Sequence, residues 1–165
     1  MINRNTRLYA AYGSNTNLEQ MAMRCPNAEV LCIGTLKGYR LTFCGNKHGS
    51  GVANIELDEH SSVPIVLWII TPSCEKVLDI YECYPRIYKK EIIDIETEYG
   101  TVKAMIYVMS KDYANKPATP GGRYYGVIQK GYEDHELDIV PLITSLYRVS
   151  QVALKLSNKK GNILF

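Results

Sequence analysis

Phenylalanine is nearly missing from this chain. Its 165 residues hold two Phe and one Trp beside thirteen Tyr, so buried aromatic surface brings hydroxyls that need partners or water. Such tyrosines line polar cavities or sit half-buried with wet hydroxyls. Runs of positive charge are missing too: none exceeds Lys89-Lys90 or Lys159-Lys160, and the formal net charge is +2 at pH 7. That leaves no electrostatic footprint for nucleic acid or an anionic membrane surface. The longest apolar run, "VPIVLWII" from Val63 to Ile70, is too short to cross a bilayer. The polar opening "MINRNTR" is followed by no apolar stretch of the signal-peptide kind.

Recognised chemical motifs are equally scarce. The five cysteines, Cys25, Cys32, Cys44, Cys74 and Cys83, form no Cys-x-x-Cys pair, which argues against a structural zinc site or a redox dithiol. Free, mostly buried thiols in a reducing cytoplasm are the expectation. Gly121-Gly122 stands alone, and neither a phosphate-binding G-x-x-x-x-G-K-[ST] nor a G-x-S-x-G elbow occurs. Of the three histidines, His48 and His60 fall in polar turns and His135 lies in "EDHELD". None has metal-ligand spacing, and a solvated helix start is the expectation at His135. Neither a metal nor a cofactor is expected.

What is present reads as one domain over 1–165, with a core of about 8–150 and a tail over 151–165. "RLYAAYG" is a strand. "NLEQMAMRC" follows as a helix capped by Thr16 or Asn17 and stopped by Pro26. "EVLCIGTLKGYRLTFCG" reads as a long bent strand or a strand pair, and "GVANIELDE" and "VPIVLWIIT" as two strands joined by the polar turn "EHSS". "TPSCEKVLDIYECY" is a helix with Thr71 or Ser73 as cap and Val77, Leu78 and Tyr81 as its apolar stripe. "RIYKKEIIDIETEYG" and "TVKAMIYVMS" are strands meeting at Tyr99-Gly100. A Pro/Gly-rich loop, the short helix "YYGVIQKGYEDHEL" and a helix capped by Asp138 complete the chain. The fold class is α+β, a small mixed β-barrel with peripheral helices.

Two places carry candidate chemistry. Gly13-Ser14-Asn15 ends a strand and opens onto a helix, so its amides can hold a carboxylate or an oxyanion; the same composition also makes ordinary turns. Glu82, in "LDIYECYP", is a charge among bulky neighbours. Such a setting raises carboxyl pKa values and produces general acids and bases, unless the side chain points to solvent where the helix frays.

In order, "YGSN" (Tyr12 to Asn15), "RCP" (Arg24 to Pro26), "GTLKGYRLTF", "GVANI", "VLWIIT", "LDIYE" (Leu78 to Glu82), "YKKEIIDI" and "YYGVIQKGYEDHEL" resemble the γ-glutamylcyclotransferase-like family. The likeness runs from about Leu8 to Tyr147. It implies a cofactor-independent enzyme that cyclises the γ-glutamyl group of a small-molecule amide, releasing 5-oxoproline and a free amine. It implies Glu82 as acid/base, and Tyr12, Gly13, Ser14, Asn15, Tyr88 and Tyr125 at the substrate. The sequence departs from the family pattern at Thr16, where leucine is usual. It departs again at Val66-Leu67, which lack the glycine common before Trp68, and at Cys83, where a small residue often stands. These changes bear on pocket shape. The alternative is a barrel that binds a small polar ligand or a protein partner without turnover.

Overall fold

The computed structural model describes residues 5–45 and 50–161; His48 lies outside them. Five strands close into a barrel in the order β1-β3-β2-β4-β5. They are β1 (Arg7–Ala11), β2 (Glu29–Gly45), β3 (Gly51–Ile70), β4 (Tyr88–Thr97) and β5 (Gly100–Met109). Neighbours are antiparallel except β1 and β5, which run parallel with Tyr9 opposite Met105. The barrel is therefore mixed, as expected. Helices α1 (Leu18–Arg24), α2 (Pro72–Tyr81), α3 (Lys111–Ala114), α4 (Gly122–Asp134) and α5 (Val140–Gly161) surround it. None among the described residues is long and apolar enough to cross a membrane.

Alternation along the strands sends apolar side chains to both faces of the sheet. Ala10 of β1 and Tyr12 just after it join Leu36, Ile65 and Ile106 in a cluster that also holds Ile128 of α4 and Leu142 of α5. Tyr9 and Ala11 join a second cluster, with Met21 of α1, Leu78 of α2, Trp68 and Tyr107. Both clusters reach β1, where the chain leaves the sheet into the Gly-Ser-Asn turn.

Several local expectations are corrected. "EHSS" does not separate two strands: β3 is continuous. The register jumps instead, with Lys37 opposite Ser62 but Tyr39 opposite Leu57, so 58–61 bulge out across from Gly38. Asp58 ties that bulge by accepting from the His60 N–H and the Ser61 hydroxyl. A short polar insert of this kind has turn chemistry without ending the ladder. The buried face of α2 is Cys74 and Leu78, while Val77 and Tyr81 are exposed. The tail is helical through Gly161 as the continuation of α5.

The cysteines are not all free either. Cys25, just after α1, is disulfide-bonded to Cys74 in the first turn of α2, with Cα atoms 5.2 Å apart; Cys32, Cys44 and Cys83 are free thiols. The two partners lie 49 positions apart in sequence, and only the packing of the two helices on one face brings them together.

Candidate functional site

Helix α2 places the carboxylate. Thr71 caps it by accepting from the Cys74 N–H at 3.2 Å, and Pro72 occupies the first turn, where its missing donor costs nothing. Lys90 of β4 then reaches Glu75 and Asp79 at 2.7 Å each, and the Tyr107 hydroxyl of β5 donates to Asp79 at 2.6 Å. These bonds, all only partly accessible to solvent, fix α2 against two strands. Glu82 is the residue at the C-terminal end of α2, its N–H bonded to the Leu78 carbonyl at 2.8 Å.

The turn after β1 supplies the opposing wall. Ser14, Asn15 and Thr16 form a single 3-10 turn and are buried. Thr16 and Asn17 return their amides to the Gly13 and Ser14 carbonyls, which leaves the Ser14 and Asn15 amides outside the turn's own bonding. Asn17 caps α1 by accepting from the Gln20 N–H, so the expectation of a cap at Thr16 or Asn17 resolves to Asn17. The turn is held from three sides. Trp68 Nε1 donates to the Asn15 carbonyl at 3.0 Å, the Ser14 and Tyr81 hydroxyls share a bond of 2.9 Å, and His135 Nε2 donates to the Thr16 carbonyl at 2.9 Å. His135 is thus a half-buried brace on the turn rather than part of a solvated helix start. No cluster of three or more candidate metal ligands occurs among the described residues.

Glu82 and the Gly13-Ser14-Asn15 turn share one cavity of about 330 Å³, walled by tyrosines. Asn15 Nδ2 lies 2.9 Å from the Tyr9 hydroxyl and 3.4 Å from Glu82 Oε1. The phenol oxygens are each bonded to the protein. Tyr12 donates to the Tyr107 carbonyl, Tyr88 to the Ala53 carbonyl at 2.5 Å, and Tyr124 accepts from the Ala53 N–H. The Tyr12 and Tyr88 protons are thus spent on carbonyls, whereas Tyr9 and Tyr124 accept and keep their own protons for a ligand. In this setting the Glu82 carboxyl is pushed up to about 7, chiefly by burial, with the positive charge of Arg24 pulling the other way. Burial wins because the walls offer neutral rings in place of water. Tyr9, Tyr12 and Tyr88 are raised as well, by burial first, with the Glu82 charge next for Tyr9 and Tyr12 and behind Tyr12 for Tyr88, which keeps the phenols protonated.

Of the residues singled out in the sequence, Tyr12, Gly13, Ser14, Asn15, Glu82 and Tyr88 all line this cavity. Tyr125 does not: its ring packs against Phe43 at 6.2 Å between centroids, and its neighbour Tyr124 is on the wall. Adjacent helical positions point about 100° apart, so the "YY" pair in α4 can send only one ring inward. Sequence reasoning also passed over Tyr9 and Tyr107, which line the cavity from β1 and β5. The excess of Tyr over Phe was the only signal for them.

Comparison with known proteins bears on this arrangement. The profile of the family described as "Gamma-glutamyl cyclotransferase, AIG2-like" matches residues 9–126. The chain belongs to that family. A mouse protein named gamma-glutamylcyclotransferase is 30% identical over 141 residues, covering 80% of this chain and 73% of the mouse one. The human protein of the same name is 28% identical over the same coverage. A solved structure titled "Gamma-glutamyl cyclotransferase" superposes with a TM-score of 0.75 at 26% identity, covering 85% of this chain and 86% of the other. The matched stretch in this member of the gamma-glutamyl cyclotransferase, AIG2-like family runs from Tyr9 to Gly126. It includes the site turn, Glu82, Tyr88 and Tyr124.

Proposed function

We propose that this protein is a γ-glutamylcyclotransferase: it cyclises the γ-glutamyl group of an amide or peptide to release 5-oxoproline and a free amine. The observation that carries the reading is the meeting of Glu82 with the Gly13-Ser14-Asn15 turn on the walls of a single tyrosine-lined cavity. Family membership and the names of the relatives support it. Among the described residues no lysine or arginine lines that cavity, and the amides of the Gly13-Ser14-Asn15 turn are what it offers a substrate carboxylate.

The chemistry needs no nucleophile from the protein. The substrate's α-amine attacks its own γ-carbonyl, and Glu82, as carboxylate, takes the amine proton while the new C–N bond forms. The tetrahedral oxyanion, or else the α-carboxylate, is held by the free amides of the turn. Glu82 then returns the proton to the departing nitrogen as the old C–N bond breaks. A pKa near the working pH suits a group that must both accept and give a proton. Folding the substrate so that amine and carbonyl touch supplies much of the acceleration.

The test is release of 5-oxoproline from a panel of γ-glutamyl amines and dipeptides, with Glu82→Gln alongside. The wild type is expected to release it, and the variant to be slower by about 10²–10⁴-fold while still folding. A variant with near-normal turnover rules out Glu82 as acid/base. Free glutamate in place of 5-oxoproline would mean that water is the nucleophile.

A further inference from the structure

Arg24 lies outside the cavity lining yet touches both of its walls. Its guanidinium sits 3.6 Å above the Tyr81 ring, donates from Nη1 to Asn15 Oδ1 at 2.6 Å, and donates from Nη2 to Gln20 Oε1 at 2.7 Å. Tyr81 in turn bonds Ser14, and Asn15 faces Glu82. Among the described residues no carboxylate forms an ion pair with Arg24.

Resting on the cyclotransferase reading, we propose that Arg24 is a positioning residue: acting through Asn15 and Tyr81, it fixes which face of the Asn15 amide meets Glu82. The argument is one of donors and acceptors. A guanidinium only donates, whereas an asparagine amide has one end of each kind. Arg24 therefore takes the Asn15 oxygen, and the NH₂ end must turn to the Tyr9 hydroxyl and Glu82 Oε1. With Arg24 gone, the amide is free to flip and set its oxygen against the carboxylate, where two acceptors repel.

The same residue sets the charge that Glu82 sees. Among the described residues, the titratable groups around that carboxylate are Tyr9 of β1, Tyr12 just after it, Tyr81 of α2, Cys83, Tyr88 of β4, Tyr107 of β5, Tyr124 of α4 and Arg24 of α1. The phenols of Tyr9, Tyr12, Tyr88, Tyr107 and Tyr124 are raised by burial and uncharged near neutral pH. Among the described residues Arg24 alone acts on Glu82 as a charge, and it favours the carboxylate. Asn15 Nδ2 on Oε1 adds a donor to the same form, leaving Oε2 for the substrate's proton.

The experiment compares wild type, Arg24→Gln and Arg24→Lys in two readouts. The first is the pH profile of kcat/KM for 5-oxoproline release. The second is the titration of Glu82 itself by carboxyl-labelled glutamate NMR, with the resonance assigned by its absence in Glu82→Gln. Arg24→Gln is expected to lower kcat about 10- to 100-fold with a smaller change in KM. It should also move both the acid limb and the Glu82 titration to higher pH. Arg24→Lys keeps the charge but not the fork or the stack, and is expected to restore the titration more than the rate. A Glu82 titration that is the same in Arg24→Gln and wild type overturns the proposal. So does a uniform loss of rate with an unmoved limb, the mark of a merely structural residue. If Arg24→Gln does not fold, Arg24→Lys carries the test: normal kcat in it overturns the proposal. Should the wild type release no 5-oxoproline, the NMR titration still decides the role of Arg24, so the two readings fail separately.

Discussion

Glu82 is held where ionising it costs free energy, and that cost has a measurable sign. Its carboxyl is pushed from the ordinary 4.5 to about 7, so the folded chain keeps this proton longer than the unfolded one. Below about pH 4.5 both states are protonated and nothing is lost. Between 4.5 and 7 the unfolded chain ionises first and stability falls; above 7 the loss is complete. At 1.36 kcal/mol per pKa unit the loss is at most about 3–4 kcal/mol, and about 1–3 kcal/mol once the partial solvent access of Glu82 is allowed for. Glu82→Gln is therefore expected to melt at a higher temperature than wild type at pH 8, with the difference shrinking toward pH 4.5. Thermal denaturation across that range checks it, and a variant that is less stable at pH 8 contradicts the burial argument. At this scale the sequence was only half legible. The crowding of Glu82 by Tyr81, Cys83 and Tyr84 marks an unusual carboxylate, and Gly13-Ser14-Asn15 marks a turn with spare amides. Nothing local says that they meet. The Asn15–Glu82 contact spans 67 positions, and only the ordered family resemblance linked its two ends.

Among the elements, α4 does most to hold the site turn from behind. Gly131 lies against it so closely that an added Cβ would fall 2.1 Å from Thr16 Oγ1 and 2.7 Å from the Asn17 nitrogen. A hydroxyl can rotate away, but the backbone nitrogen cannot, so α4 has to move off the turn. Gly131→Ala is expected to destabilise the fold by about 1–3 kcal/mol despite alanine's better helix propensity. A lowered melting temperature with further loss of kcat checks this, while an unchanged melt shows that the turn yields easily. The elements were the most legible level, because their signals are periodic or punctuated: the Asn17 and Thr71 caps, the Tyr99-Gly100 tip and Asp138 before α5 can each be read locally. The failures share a cause. The "EHSS" insert and the Val77-Leu78-Tyr81 stripe look right in one dimension. What they do depends on the partner strand β2 at Gly38 and on which face of α2 the barrel covers.

For the molecule as a whole, closure rests on two short seams. Strands β2 and β3 pair along most of their length, but among the described residues β1 meets β5 only at Tyr9–Met105, and β2 meets β4 only at Gly34–Thr97 and Thr35–Glu96. Gly34 lets the β2–β4 seam close: an added Cβ would stand 2.5 Å from Ile95 Cγ2 and 3.0 Å from the Glu96 carbonyl. Gly34→Val is expected to cost about 1–3 kcal/mol and to speed amide exchange at the seam before the β2–β3 ladder is affected. Exchange that rises uniformly, or not at all, would place the weak point elsewhere. Barrel closure follows from strand order, which no local pattern encodes; a mixed barrel was legible through strand count and family likeness together. One consequence reaches beyond stability. The chain holds a single tryptophan, and its indole N–H is bonded to the Asn15 carbonyl of the site turn. Trp68 is thus a built-in optical probe. Any ligand that shifts the turn changes the environment of the one indole, so its fluorescence reports occupancy directly, without a label and without turnover.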